Sequence, residues 1–133
     1  MERETHQVAL VDTDILIDAS RGLAQAGRFL DDSMRGPGVT ISVVSAMELI
    51  GGCRDSVQLA EVKRLLDALR VLPLTEAISN TARSLMESFA LSHGLLLPDA
   101  LIAATALDAD LPLCTRNVRH FRVIPDLKVV SPY

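Results

Sequence analysis

Tryptophan is absent from this chain, and Tyr133 is its only tyrosine. A core built here must therefore be aliphatic, supplied almost wholly by Leu, Ala, Val and Ile. Cysteine is nearly as scarce. Cys53 and Cys114 lie far apart in apolar stretches, and no second Cys or His stands at ligand spacing from either, so neither marks a zinc site. They read as small buried hydrophobes of a cytoplasmic protein rather than as a disulfide. No uncharged apolar run approaches the roughly 18 residues that a membrane span needs, so no membrane partner is expected. Residues Met1 to Gln7 are charged and polar, which is unlike a signal peptide. Also missing are a G-x-S-x-G turn and a phosphate-cradling glycine loop. The three histidines, His6, His93 and His120, form no triad. These gaps disfavour nucleophilic catalysis and P-loop chemistry.

What is present fits one domain. The chain has 133 residues, about half of them apolar, so a single domain over residues 1–133 is expected, with residues 1–6 as a loose tail. The net charge of −4 argues mildly against nonspecific nucleic-acid binding. The charges are uneven, however. After Asp110 the chain carries Arg116, Arg119, His120, Arg122 and Lys128 against Asp126 alone, which makes either a local basic patch or an ordinary solvated surface.

The punctuation marks short strands alternating with helices. Val8 to Val11 reads as a buried strand ending in Asp12. A helix follows from Ile15 to Ala19, broken near Gly22. An amphipathic helix runs from Leu23 to Met34 and is stopped by Gly36-Pro37-Gly38. Val39 to Ser42 is the second strand. Ser45 is read as opening a helix that carries Glu48 and ends at Gly51-Gly52. Leu59 to Leu69 has helical spacing, and Arg70 to Leu74 is a strand. Thr75 caps a long helix through His93, ended by Gly94. Pro98 starts a helix over Asp99 to Asp108. Leu113 to Thr115 is a strand, Asn117 to Phe121 a helical turn, and Lys128 to Ser131 a last strand. Continuously apolar strands alternating with helices predict an α/β three-layer sandwich: a mostly parallel sheet of four to five strands with helices on both faces.

In such sheets, sites form beyond the carboxyl ends of the strands. Asp12 and Asn117 fall just past strand ends, and Glu48 and Asp99 fall early in helices that start at the same edge. Each has an ordinary structural explanation as well. Asp12 is a natural N-cap. Glu48 stands three residues after Ser45, as in a capping box. Asp99 suits the positive end of a helix dipole, and Asn117 suits a turn. The apolar surroundings of Glu48 predict partial burial, which an unpaired carboxylate resists. The coincidence carries the argument. Three acids at one edge repel one another without a cation, and oxygen-only ligands suit Mg²⁺ or Mn²⁺. That combination fits phosphodiester hydrolysis.

These segments resemble the four motifs of PIN domains, in order. Val11-Asp12-Thr13-Asp14-Ile15-Leu16-Ile17-Asp18 resembles the first, and Ser45-Ala46-Met47-Glu48-Leu49 the second. Leu97-Pro98-Asp99-Ala100-Leu101-Ile102-Ala103-Ala104-Thr105-Ala106 closely resembles the third, and Thr115-Arg116-Asn117-Val118-Arg119-His120-Phe121 the fourth. Within that family the chain looks most like VapC-type toxins. The resemblance implies a cytoplasmic endoribonuclease toxin that depends on Mg²⁺ or Mn²⁺ and forms a homodimer. It also implies a cognate antitoxin that assembles with it into a heterotetramer or larger complex. It makes Asp12, Glu48 and Asp99 metal ligands, with Asn117 as the fourth site residue where many PIN domains have an acid. Thr13, Ser45 and Thr115 become supporting hydrogen-bond partners. Candidate RNA contacts are Arg116, Arg119 and His120, with Arg54 as a further one.

Three other readings compete with this one. Asp12-Thr13-Asp14 also matches the start of haloacid-dehalogenase-type phosphatases, and clustered acids on an α/β fold suit a receiver domain. Both need a downstream Lys in a set place, and only Lys63 and Lys128 exist. The third is an inactive PIN-like module that binds RNA or protein, favoured only by the missing fourth acid.

Overall fold

Strands of two or three residues bind few neighbours through the backbone, so the side chains of this sheet must secure it on both faces. The computed structural model describes residues 8–133. The expected tail over residues 1–6, with His6, lies outside the described residues. The chain order is β1 (Leu10–Val11), α1 (Thr13–Ser20), α2 (Ala24–Arg35), β2 (Thr40–Ser42), α3 (Val43–Gly51), α4 (Ser56–Asp67), β3 (Arg70–Leu72), α5 (Glu76–His93), α6 (Leu97–Ala109), β4 (Leu113–Cys114), α7 (Val118–Phe121) and β5 (Val129–Val130). The strands lie in the order β3-β2-β1-β4-β5, and every neighbouring pair is parallel.

The sheet divides two cores because successive strand side chains point to opposite faces. Leu10 and Leu113 face one core with Ile78, Ala82 and Leu85 of α5, the Ala-rich side of α6 and Phe121 of α7. Val11, Ile41 and Cys114 face the other with Ile15 and Leu16 of α1, and Phe29 and Leu30 of α2 pack against it. This is the three-layer arrangement that the apolar strands predict. Small side chains do much of the work in α6, where Ala100, Ala103, Ala104 and Ala106 are fully buried. They let a helix lie close to the central strands.

The helix ends expected at Thr75 and Gly94 form as the sequence marks them, and the start expected at Ser45 does not. Thr75 caps α5 by accepting from the Ile78 N–H. Gly94 ends that helix at φ 66°, a left-handed conformation that costs glycine little. Helix α3 begins at Val43, and its cap is Ser42, whose side chain accepts from the Val44 N–H at 3.0 Å. The strand hands over to the helix directly, so Ser45 lies inside the first turn. The expected capping box of Ser45 and Glu48 is therefore not formed.

Candidate active site

Asp12, Ser42 and the segment after Cys114 all leave the sheet at the carboxyl ends of neighbouring strands. Asp12 follows β1. Its backbone N–H donates to Cys114 O at 2.9 Å, which locks it beside the end of β4. The two explanations of Asp12 turn out to be compatible. Its Oδ1 accepts from the Thr13 N–H at 2.8 Å and so caps α1. Its Oδ2 accepts from the Thr115 hydroxyl at 2.8 Å. Asp12 is buried. Burial first, and then the charge of Asp14, pushes its carboxyl up to about 7.

Asp14 is a member of this site that the sequence reading did not single out. The signal for it is the D-x-D spacing of Asp12-Thr13-Asp14 just past the first strand. One turn of α1 brings Asp14 round to β4, where its Oδ2 accepts from the Arg116 N–H at 3.0 Å and lies 3.2 Å from Thr115 Oγ1. One hydroxyl proton cannot serve two carboxylates, and the shorter contact is to Asp12. Burial raises the Asp14 carboxyl as well. Its Oδ1 is buried with no hydrogen-bond partner among the described residues.

Glu48 enters from α3. Thr13 Oγ1 lies 2.7 Å from both Glu48 Oε1 and Ser45 Oγ. A carboxylate only accepts, so Thr13 donates to Glu48 and accepts from Ser45. Ser45 is fully buried, but Glu48 itself is exposed. The expectation of a partly buried Glu48 is thus corrected. Val44 and Ala46 turn inward from the first turns of α3, whereas Glu48 sits in the second turn on the solvent side with the exposed Met47 and Ile50.

Asp99 stands in the first turn of α6. Burial raises its carboxyl, offset in part by His120 and increased again by Glu48 and Asp14. His120 Nε2 lies 3.2 Å from Asp99 Oδ2. His120 is thereby placed against an acid, with its ring edge-on to Phe121 at 5.3 Å between centroids. Asn117 is exposed, and its backbone N–H donates to Thr115 Oγ1 at 2.9 Å. Arg119 is exposed on α7, and Arg54 is exposed beyond α3. Arg116 packs on Tyr133. The basic residues after Asp110 therefore do not form one continuous patch: two of them face acids, and Lys128 precedes β5 at the opposite edge of the sheet.

The arrangement has the character of a cation site that is left open. The donors are all carboxylate oxygens, they feel one another's charge, and one of their buried oxygens is orphaned. Among the described residues, no three His, Cys, Asp or Glu side chains close into a metal cage by themselves. The set fits a hard divalent ion that keeps water and takes phosphate oxygens, as Mg²⁺ commonly does, rather than an ion in an all-protein cage.

Comparison with known proteins shows the family of the chain. The PIN domain family model matches residues 9–127. Ribonuclease VapC10 of Mycobacterium tuberculosis is 45% identical over 120 residues, which cover 90% of each chain. Ribonuclease VapC19 of the same organism is 36% identical over 126 residues, covering 93% of this chain and 98% of its own. A toxin–antitoxin complex from Klebsiella pneumoniae contains a chain of the same fold, with a TM-score of 0.77 and 33% identity over 94% of this chain and 98% of that one. The chain belongs to the PIN-domain family, alongside relatives named VapC.

Proposed function

We propose that this chain is a divalent-metal-dependent endoribonuclease and the toxin half of a toxin–antitoxin pair. The observation that carries the reading is the convergence of Asp12, Asp14, Glu48 and Asp99 at one sheet edge, where Thr13 and Thr115 hold the first three and Asp99 feels the charge of Glu48 and Asp14. Asp12, Glu48 and Asp99 would hold Mg²⁺ or Mn²⁺. Such an ion, when bound, supplies charge neutralisation at the scissile phosphate and eases deprotonation of the attacking water.

The protein's own part is positional. Thr115 fixes Asp12 against β4, so its carboxylate cannot swing away from the edge. Thr13 bridges α1 to Glu48 on α3. Asn117 carries no charge and can orient water or phosphate. The names of the relatives support RNA as the substrate.

The same reading extends to partner control and to assembly as a homodimer in the cytoplasm. A groove of about 480 Å³ runs between α1, α3 and α4, with Leu16, Ile17, Leu49, Val62 and Leu65 on its walls and Glu48 at its edge. It suits an amphipathic antitoxin segment whose basic side chain reaches the carboxylates and blocks the substrate phosphate. The decisive assay compares RNA cleavage with Mg²⁺ or Mn²⁺ by wild type, Asp12→Ala and Asp99→Ala. Abolished cleavage in both variants and in chelator is expected. Cleavage indifferent to all three would overturn the metal-nuclease reading, and no cleavage by the wild type would favour an inactive binding module.

A further inference from the structure

Arg116 is held at both ends by residues remote from it in sequence. Its backbone N–H donates to Asp14 Oδ2 at 3.0 Å, and its chain neighbour Thr115 donates to Asp12. Its guanidinium carbon lies 4.6 Å from the centroid of the Tyr133 ring. Its Nη1 lies 3.7 Å from Asp18 Oδ2, the same oxygen to which the Tyr133 hydroxyl donates at 3.0 Å. Three separate parts of the chain, the α1 end, the segment after β4 and the residues after β5, therefore meet on one side chain.

Stability does not account for this arrangement well. The Arg116 side chain is 43% exposed and that of Asp18 is 32% exposed, and ion pairs at such sites contribute little. The contact does restrict where the guanidinium lies. The ring covers one face of the group, and Asp18 faces one nitrogen as an ion pair at 3.7 Å, beyond hydrogen-bond length. An arginine has five N–H donors in a rigid fork, so most of them remain for another acceptor. A polyanion approaching Asp12, Asp14 and Asp99 meets like charge, and a fixed cation at the rim offsets that repulsion. An ordered side chain also loses less conformational freedom on binding than a mobile one.

We propose that Tyr133 and Asp18 are positioning residues for Arg116. They hold its guanidinium at the rim of the carboxylate site, where it receives an RNA phosphate next to the scissile one. The proposal rests on the ribonuclease reading, but its test does not use cleavage.

The test is a double-mutant cycle on RNA affinity. A labelled single-stranded RNA oligonucleotide is titrated in chelator, across a salt series, by fluorescence anisotropy. Arg116→Ala is expected to weaken binding about tenfold and reduce the salt slope by about one. Tyr133→Ala should weaken binding several-fold when Arg116 is present and have no effect in the Arg116→Ala background. Tyr133→Phe keeps the ring over the guanidinium and should stay within about twofold of wild type by the same reasoning. Equal losses from Tyr133→Ala in both backgrounds would overturn the proposal. So would a lowered melting temperature with unchanged RNA affinity, which makes the contact a structural latch. Either result leaves the nuclease reading intact, whereas chelator-insensitive cleavage refutes that reading alone. A wild-type chain that binds no RNA refutes both.

Discussion

The Thr115 hydroxyl donates to Asp12 Oδ2 at 2.8 Å across 103 residues of chain. Both residues are buried, so the bond closes the site from below and has no water to replace it. Thr115→Val keeps the shape and removes the donor. It should cost about 1–3 kcal/mol of stability, and it should lower divalent-ion affinity about 10–100-fold by loosening a ligand's support. Thermal melts and a Mn²⁺ titration check both. Unchanged Mn²⁺ affinity would show that Asp12 is held adequately by Thr13 alone.

The pH dependence of stability follows from Asp12. Burial and Asp14 raise its carboxyl from an ordinary 3.8 to about 7. Between these values the folded chain keeps a proton that the unfolded chain has released, so stability in chelator should fall as pH rises through that window. The loss across the whole window is on the order of 4 kcal/mol. Asp12→Asn should flatten the profile and raise the melting temperature at pH 8 while abolishing cleavage. Mn²⁺ affinity of the wild type should increase with pH up to about 7, because the proton must leave first. A melting temperature that rises from pH 5 to pH 8 in chelator contradicts this account.

Glu48 separates structural from chemical roles. A capping glutamate tolerates Gln, since both reach a backbone N–H. Here Glu48→Gln can still accept from the Thr13 hydroxyl but brings no charge to the ion. Stability should stay within about 0.5 kcal/mol, and cleavage should fall on the order of 100-fold. Near-normal cleavage by this variant would remove Glu48 from the site.

The α1–α3–α4 groove offers a way to uncouple inhibition from catalysis. Leu65 lines it and is 38% exposed, so Leu65→Asp leaves the core untouched. Its expected outcome is full cleavage activity with loss of neutralisation by the cognate antitoxin, seen as growth arrest when both proteins are produced together. Arrest relieved as in wild type would place the antitoxin elsewhere.

Much of this protein was legible in one dimension. Apolar runs alternating with helices specify a parallel sheet covered on both faces, because no other arrangement buries such strands. Residue order then places Asp12, Glu48 and Asp99 near one edge. Cap signals were less decisive, since Ser42 and Ser45 both precede helical sequence. The choice fell to Ser42 because β2 passes directly into α3, and this freed Glu48 from capping. Asp14 was missed for a related reason. Its carboxylate gains meaning only when β1 lies beside β4 and brings Thr115 and Arg116 within reach.

The sequence by itself determined the layered fold and the three carboxylates at its edge, because burial periodicity and chain order are local properties that need no partner strand. Only the tertiary structure decided that Asp14 joins them, that Thr115 supports Asp12, and that Arg116 rests against Tyr133 and Asp18. Those contacts join residues about a hundred positions apart, and hydrogen bonds of that reach exist only once the sheet has set which strand ends are neighbours.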